Sequence, residues 1–386
     1  MKSNKQFHLT VLGVHVKSDG FPNVTCRLQS IAATKCVHVN EIDFPFRPLK
    51  IVQGKLQKHK TFRFLSASCR VVYSHFKVMI AYLSKMPFVA VYVPYPAVYI
   101  LYMLSLMPRQ WRPKYVMADA FISLYDTIVN DRELVARNGI IASILRHIET
   151  RAYNSADRII VDTELNANYF RITFGLSPDK VKALPLSINQ EEYKYYPYQP
   201  NDIKCQVLFI GTFVPLQGVE TIARAIKLLN GLKNIQFTLI GTGQSATAVR
   251  AILGTELRNF VWYETWHTSS QLATKIQQAD ICLGIFGAGE KTQRVWPLKN
   301  YAYMSVGKAI ISGDTFCARE LSKLSDELLF LSVPVNNHYA LAEAIQHLAR
   351  HKELRSKLSA QSHRFFQQHL NDKIAVEYIL SQLPAD

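Results

Sequence analysis

The chain has 386 residues, 48% of them hydrophobic and 19% charged, which excludes global disorder and makes two packed domains the expectation. Its six cysteines, Cys26, Cys36, Cys69, Cys205, Cys282 and Cys317, form no C-x-x-C pair and no zinc-spaced set with histidine; they read as small buried apolar residues in a reducing cytoplasm. The formal charge of +16 is lopsided, because residues 1–114 hold 17 Lys and Arg against only Asp19, Glu41 and Asp43.

Met1–Gln6 is polar, and the apolar run Leu9–Val16 is interrupted by His15 and closed by Lys17, so no secretory leader is expected. His8–Val16 reads as the first strand and Asn23–Ala33 as the helix after it. Within residues 44–77, Lys50, Lys55, Lys58, Lys60, Arg63, Arg70 and Lys77 interleave with Phe62, Phe64, Leu65, Val71, Val72, Tyr73 and Phe76. Cations beside aromatic anchors suit an anionic membrane surface. Nucleic acid is the rival partner for such charge and is not favoured, since no helix-turn-helix, zinc-finger or RNP-like pattern supplies a reading head; a basic face without a partner is the third possibility. Met86–Met107 is uncharged and long enough to span a bilayer, but Pro87, Pro94 and Pro96 divide it. It reads as a buried strand over Phe88–Val93, a turn, and a helix over Ala97–Met107.

Strands follow at Tyr115–Ala118 and Arg158–Val161, with a helical stretch between them over Glu133–Ser155. Asn189–Asp202, polar and tyrosine-rich with Pro197 and Pro200, is the best linker. The alternation then restarts: strand Gln206–Ile210, helix Val219–Asn230, strand Gln236–Ile240, helix Ser245–Leu253, strand Phe260–Tyr263, helix Ser270–Gln278 and strand Ile281–Ile285. Such alternation predicts an α/β protein of two Rossmann-like, doubly wound parallel-sheet domains, with ligands outside the carboxyl ends of the strands.

The second half offers the elements of a phosphate site. Strand Gln206–Ile210 runs into Gly211-Thr212-Phe213-Val214-Pro215-Leu216-Gln217-Gly218 and then a helix, and Gly241-Thr242-Gly243 follows the next strand. Lys291, Arg294 and Lys299 lie within nine residues, beside Glu290. Backbone N–H groups at a helix start and cations aimed at phosphates are what a departing diphosphate requires. Each signal alone is weak, since a glycine turn or a lysine-rich face is common in structural roles.

Taken in order, Phe209–Glu220, Ala279–Gly287, Lys291–Lys299 and Gly307–Ile311 resemble the donor domain of bacterial glycosyltransferases of family 4. The likeness is clear over residues 205–325 and looser upstream, through Val93–Pro96, Asp119–Thr127 and Val161–Thr163. It implies the GT-B fold: an acceptor-binding domain over residues 1–195, a donor domain over 203–365, a cleft between them, and a C-terminal helix over 366–386 packing back across the junction. It also implies a probe for function: metal-independent, retaining transfer of a sugar from a nucleotide-sugar donor to a lipid-linked or saccharide acceptor in cell-surface polysaccharide or glycolipid synthesis, with no cofactor, in the cytoplasm or peripheral on the inner face of its membrane.

For donor and nucleotide binding the resemblance points to Gly211, Thr212, Gly218, Gly241, Glu290, Lys291, Arg294, Lys299 and Glu320, with Lys299, Arg294 and Asp119 as catalytic candidates. Gly13, His15, Lys17 and Gly20, around the loop after the first strand, are the acceptor candidates. Five positions depart from the family pattern. Thr212 and Gln217 stand where many members carry Arg and Lys, and the paired glutamates, the second of which binds ribose, are replaced by Arg294 and Ala302. Asp119 stands where many members have His. The departures leave two rivals: a catalytically inactive relative acting as a scaffold in a polysaccharide-assembly complex, and a basic nucleic-acid-binding protein. A dinucleotide-dependent dehydrogenase is weaker still, because no strand runs into G-x-G-x-x-G with an acid about twenty residues on.

Overall fold

The structure is a computed structural model that describes residues 6–14, 22–43, 60–199, 204–256, 258–265 and 267–384, without the side chains of Asp43 and residues 60–72. The chain divides into two units. One takes in the described residues of Met1–Val129, Leu134–Ser187 and Asp372–Asp386, and the other Asn130–Glu133 and the described residues of Ile188–Asn371.

In the first unit, strands β1 (Phe7–Gly13), β2 (Val37–Asp43), β3 (Ala90–Val93), β4 (Tyr115–Asp119), β5 (Arg158–Val161) and β6 (Val181–Ala183) form one sheet in the order β2-β1-β3-β4-β5-β6. Every pairing is parallel. Helices α1 (Pro22–Ala32), α2 (Lys60–Lys85), α3 (Val98–Leu106), α4 (Ile140–Asn154) and α5 (Glu164–Phe174) make the crossovers. A parallel sheet is buried on both faces, which is why β3, β4 and β5 are short, nearly continuous apolar runs. Their Val91, Val93, Val116, Ala118, Ile159 and Val161 pack with Leu101, Leu104, Ala152, Phe170 and Phe174.

In the second unit, β7 (Cys205–Ile210), β8 (Ile235–Ile240), β9 (Phe260–Tyr263), β10 (Ile281–Leu283), β11 (Ala309–Gly313) and β12 (Leu331–Val333) form a second all-parallel sheet in the order β12-β11-β10-β7-β8-β9. Its helices are α6 (Val219–Leu228), α7 (Ala246–Leu253), α8 (Ser269–Gln278), α9 (Glu290–Arg294), α10 (Leu298–Val306), α11 (Phe316–Ser322), α12 (His338–Arg350) and α13 (Lys352–Phe365). The chain then returns to the first unit as α14 (Asp372–Ser381). Val207, Phe209, Phe237, Leu283 and Ile311 pack with Ile222, Ile226, Val249 and Leu341. Each such buried side chain contributes about 1.5–3 kcal/mol. An exposed pair such as Arg224 with Glu220 at 3.8 Å contributes about 0.3–0.5 kcal/mol, so the sheet interiors hold the unit together.

The structure adds strands β2, β6, β11 and β12 to those expected. Strands β2, β6 and β12 lie at sheet edges, whereas β11 is interior and buried. The helix expected from Glu133 starts only at Ile140, because Glu133 has φ +50° and Gly139 caps the helix in an extended conformation. Met86–Met107 is divided into β3, the Pro94–Pro96 turn and α3. No helix among the described residues is long and apolar enough to cross a membrane.

Candidate active site

In the second unit the strand order reverses at β7: the sheet grows through β8 to β9 on one side, then resumes with β10 on the other. A ligand in an open parallel sheet sits outside the carboxyl ends at such a switch point. Gly211 ends β7 there. A Cβ on Gly211 would run into the Gln217 side-chain amide and come within 3.0 Å of Lys299 Nζ. Gly241 ends β8 with φ +129°, and a Cβ there would strike the Gly211 carbonyl.

The loop from Gly211 to α6 is fastened to the end of β10. The Phe286 and Gly287 N–H groups donate to the Gln217 and Leu216 carbonyls at 3.1 and 3.3 Å. Gly218, at φ +61°, closes the turn against the Phe286 backbone. Thr292 of α9 donates to the Leu216 carbonyl at 3.4 Å, tying α9 to the same loop.

Lys299 enters from the first turn of α10. Its ammonium donates to Gln217 Oε1 and to the Gly284 carbonyl at 3.4 Å, and lies 3.8 Å from the centre of the Phe209 ring. It therefore bridges the carboxyl ends of β7 and β10. Among the described residues no carboxylate pairs with it, and burial drives its pKa well below the usual lysine value.

The other donor candidates lie on the loop after β7, on α9 and on α11. Thr212 is exposed beside Gly211. Glu290, exposed, opens α9, and Arg294, half-buried, closes it. Lys291 lies 3.9 Å from Asp131, one of the four residues 130–133 grouped with this unit. Glu320 pairs with Lys323 at 2.7 Å on the exposed side of α11. The structure thus brings Gly211, Gly241, Gly218 and Lys299 together and holds Glu320 in a surface ion pair. Ala302 is buried, and α10 carries no acidic residue.

In the first unit Asp119 ends β4 and is 4% exposed. Burial raises its carboxyl pKa, against the opposing pull of the Arg27 charge, the Tyr92 hydroxyl, which donates at 3.2 Å, and the Phe121 N–H. Arg27 of α1 donates from Nε to Asp372 at 3.1 Å and to Ser187 at 2.5 Å. The loop after β4 is held by Glu149 of α4, which accepts from Ser123 Oγ at 2.6 Å, Leu124 N–H at 2.8 Å, Tyr125 N–H at 2.9 Å and the Tyr153 hydroxyl at 2.7 Å. Sequence reasoning passed over Arg27, Glu149 and Asp372; a charge among apolar residues on each helix was the available signal. Of the acceptor candidates, Gly13 ends β1, where an added Cβ would only reach ordinary contact distance of Pro94, while His15, Lys17 and Gly20 lie outside the described residues.

Two six-stranded, all-parallel sheets in α/β units match the structures of GT-B glycosyltransferases. Residues 204–351 match the family model for glycosyl transferases group 1. Sucrose-phosphate synthase from Thermosynechococcus elongatus is similar in structure at 16% identity and a TM-score of 0.66, covering 98% of each chain. Anabaena HepE, solved in complex with UDP, is similar at 11% identity and a TM-score of 0.66, covering 98% of this chain and 99% of that one. WaaG, a glycosyltransferase involved in lipopolysaccharide biosynthesis, is similar at 14% identity and a TM-score of 0.62, covering 96% and 99%. At such identities the likenesses establish the fold. No curated protein matches the chain.

Proposed function

We propose that the chain transfers a sugar from a nucleotide-sugar donor, bound at the carboxyl ends of β7 and β10, to a lipid-linked or saccharide acceptor admitted by the residue 1–195 domain. The carrying observation is Lys299: a half-buried ammonium that, among the described residues, donates to neutral oxygens, held over the bare backbone of Gly211. A cation already in place needs no reorganisation as charge develops on the departing diphosphate, and low dielectric strengthens its effect. Arg294 and Lys291 on α9 would add charge, and Asp119 would contact the sugar or assist proton transfer from the acceptor. HepE has been solved with UDP and with UDP-glucose, which supports a donor of this chemical class. The transfer is retaining and needs no metal in this reading.

The test is thermal stability of the protein against UDP-, GDP- and dTDP-linked sugars, repeated with Lys299→Ala and Arg294→Ala. One nucleotide class should raise Tm, and both substitutions should remove the shift. A folded protein that responds to none of the donors would refute the donor site.

The acceptor side of the reading includes an anionic membrane surface. Residues 44–59 of the basic segment lie outside the described residues, but α2 exposes Tyr73, Phe76, Ile80 and Leu83 at helical spacing beside Lys77. Apolar and aromatic tips flanked by cations suit anionic headgroups. This stripe supports the reading of a work site on the inner face of the cytoplasmic membrane. A second reading, a non-catalytic scaffold, draws on Ala302 and the acid-free α10; donor binding without hydrolysis or transfer would favour it.

A further inference from the structure

The contact that defines the donor site also contains an element that works against it. Lys299 donates to the side-chain amide oxygen of Gln217, and that amide lies over Gly211, where the absence of a Cβ opens the backbone. Gln217 is 8% exposed, so the arrangement is internal. Its backbone has no room to retreat: its N–H donates to the Val214 carbonyl at 2.9 Å, its carbonyl accepts from Phe286 N–H at 3.1 Å, and Gly218 beyond it is pressed against the Phe286 backbone. Only the side-chain torsions are left to move.

We propose that Gln217 is a specificity-determining residue that occupies the anion seat with a neutral oxygen, so that a donor must displace its amide from Lys299 to bind. The inference rests on the donor-site reading above. A phosphate oxygen is a charged acceptor and makes a bond to an ammonium roughly twice as strong as a neutral amide does. A diphosphate therefore wins the exchange, whereas a ligand offering only neutral oxygens gains nothing by it. The seat becomes selective for charge. The apparent affinity of any ligand that needs Lys299 is reduced by the fraction of molecules in which Gln217 holds it, and ligands that do not reach Lys299 are unaffected.

This separates Gln217 from a residue that contacts the donor and from one that merely packs. Binding of UDP, inorganic pyrophosphate and uridine is measured by titration calorimetry on the full chain, with Tm recorded for each variant. In Gln217→Ala, UDP and pyrophosphate should bind about threefold more tightly or better, with uridine unchanged. In Gln217→Glu, which keeps the shape and supplies a permanent carboxylate to Lys299, both should bind about tenfold more weakly, again with uridine unchanged. Weaker UDP binding in Gln217→Ala would make the amide a ligand of the donor and overturn the proposal. So would equal changes for uridine, which would report a loosened loop. If Gln217→Ala fails to fold, the isosteric Gln217→Glu decides, and unchanged UDP binding there overturns the proposal. If the unaltered protein binds UDP and Lys299→Ala does not, yet both Gln217 variants bind as it does, this inference fails alone. If the unaltered protein binds neither UDP nor pyrophosphate, the donor-site reading fails and this one with it.

Discussion

Lys299 and Asp119 carry opposite electrostatic burdens for the same reason. Burial disfavours the charged form of each, lowering the ammonium pKa and raising the carboxyl pKa. For Lys299 the unfolded chain holds its proton more tightly than the folded one, so the lysine's contribution to stability grows with pH from its depressed folded value towards 10.5. A bound diphosphate reverses the desolvation and pulls that pKa back up. Nucleotide binding should therefore take up a proton where the pH lies near or above the depressed value, seen as a dependence of the calorimetric heat on the buffer's ionisation enthalpy, and affinity should fall as pH rises through that value. Lys299→Arg, always charged, should bind without proton uptake. For Asp119 the sign is opposite: its contribution to stability is present at low pH and is lost as pH rises through its raised folded value. Asp119→Asn should leave nucleotide binding intact and lower transfer by about 100-fold, measured as product formed per enzyme.

At the level of elements, the strand ends of the second unit are held by backbone packed on backbone. Gly241 has φ +129° and lies against the Gly211 carbonyl, so Gly241→Ala meets both a forbidden conformation and a clash that no side chain can relieve. It should cost about 3 kcal/mol or more, read as a lowered urea midpoint. The cap of α8 is an ordinary contrast: Thr268 accepts from the Gln271 N–H and Gln271 reaches back, a capping box whose loss in Thr268→Ala should cost about 1 kcal/mol. The first unit shows how far local pattern reaches. Ile140, Ile141, Ile144, Leu145 and Ile148 recur at helical spacing in the stretch expected over Glu133–Ser155, yet Ile140, Ile141 and Ile144 are exposed, and the helix is anchored through Ala142, Glu149, Ala152 and Tyr153.

Across the whole molecule, the chain leaves the first unit after Ser187 and rejoins it at Asp372. The return is secured by Arg27 and Asp372, both buried and 3.1 Å apart, with Ser187 donating to the same carboxylate. Removing one partner of a buried ion pair leaves the other charge in low dielectric. Asp372→Ala should cost about 3–5 kcal/mol, seen as an earlier transition in guanidinium chloride, while UDP binding in the second unit persists at low denaturant. The exposed stripe of α2 is tested at this scale too: Phe76→Ser with Ile80→Ser should reduce flotation with anionic vesicles, and equal flotation with neutral vesicles would count against an anionic surface.

The sequence by itself determined the alternation of strands and helices, and with it two parallel sheets, because buried strands and amphipathic helices write their periods locally. It also determined the glycine-bounded loop at residues 211–218 and the cation cluster ending in Lys299, because tight turns and helix starts restrict residue type within a few positions. Strands β2, β6, β11 and β12 were not read from the sequence, since each is defined by pairing with a neighbour supplied by another part of the chain. The pairing of Lys299 with Gln217, of Arg27 with Asp372 and of Glu149 with the loop after β4 joins residues 82, 345 and about 25 positions apart. Only the tertiary structure decided these, because a charge's partner and its solvation depend on which distant groups the fold brings against it, and local pattern carries no record of that.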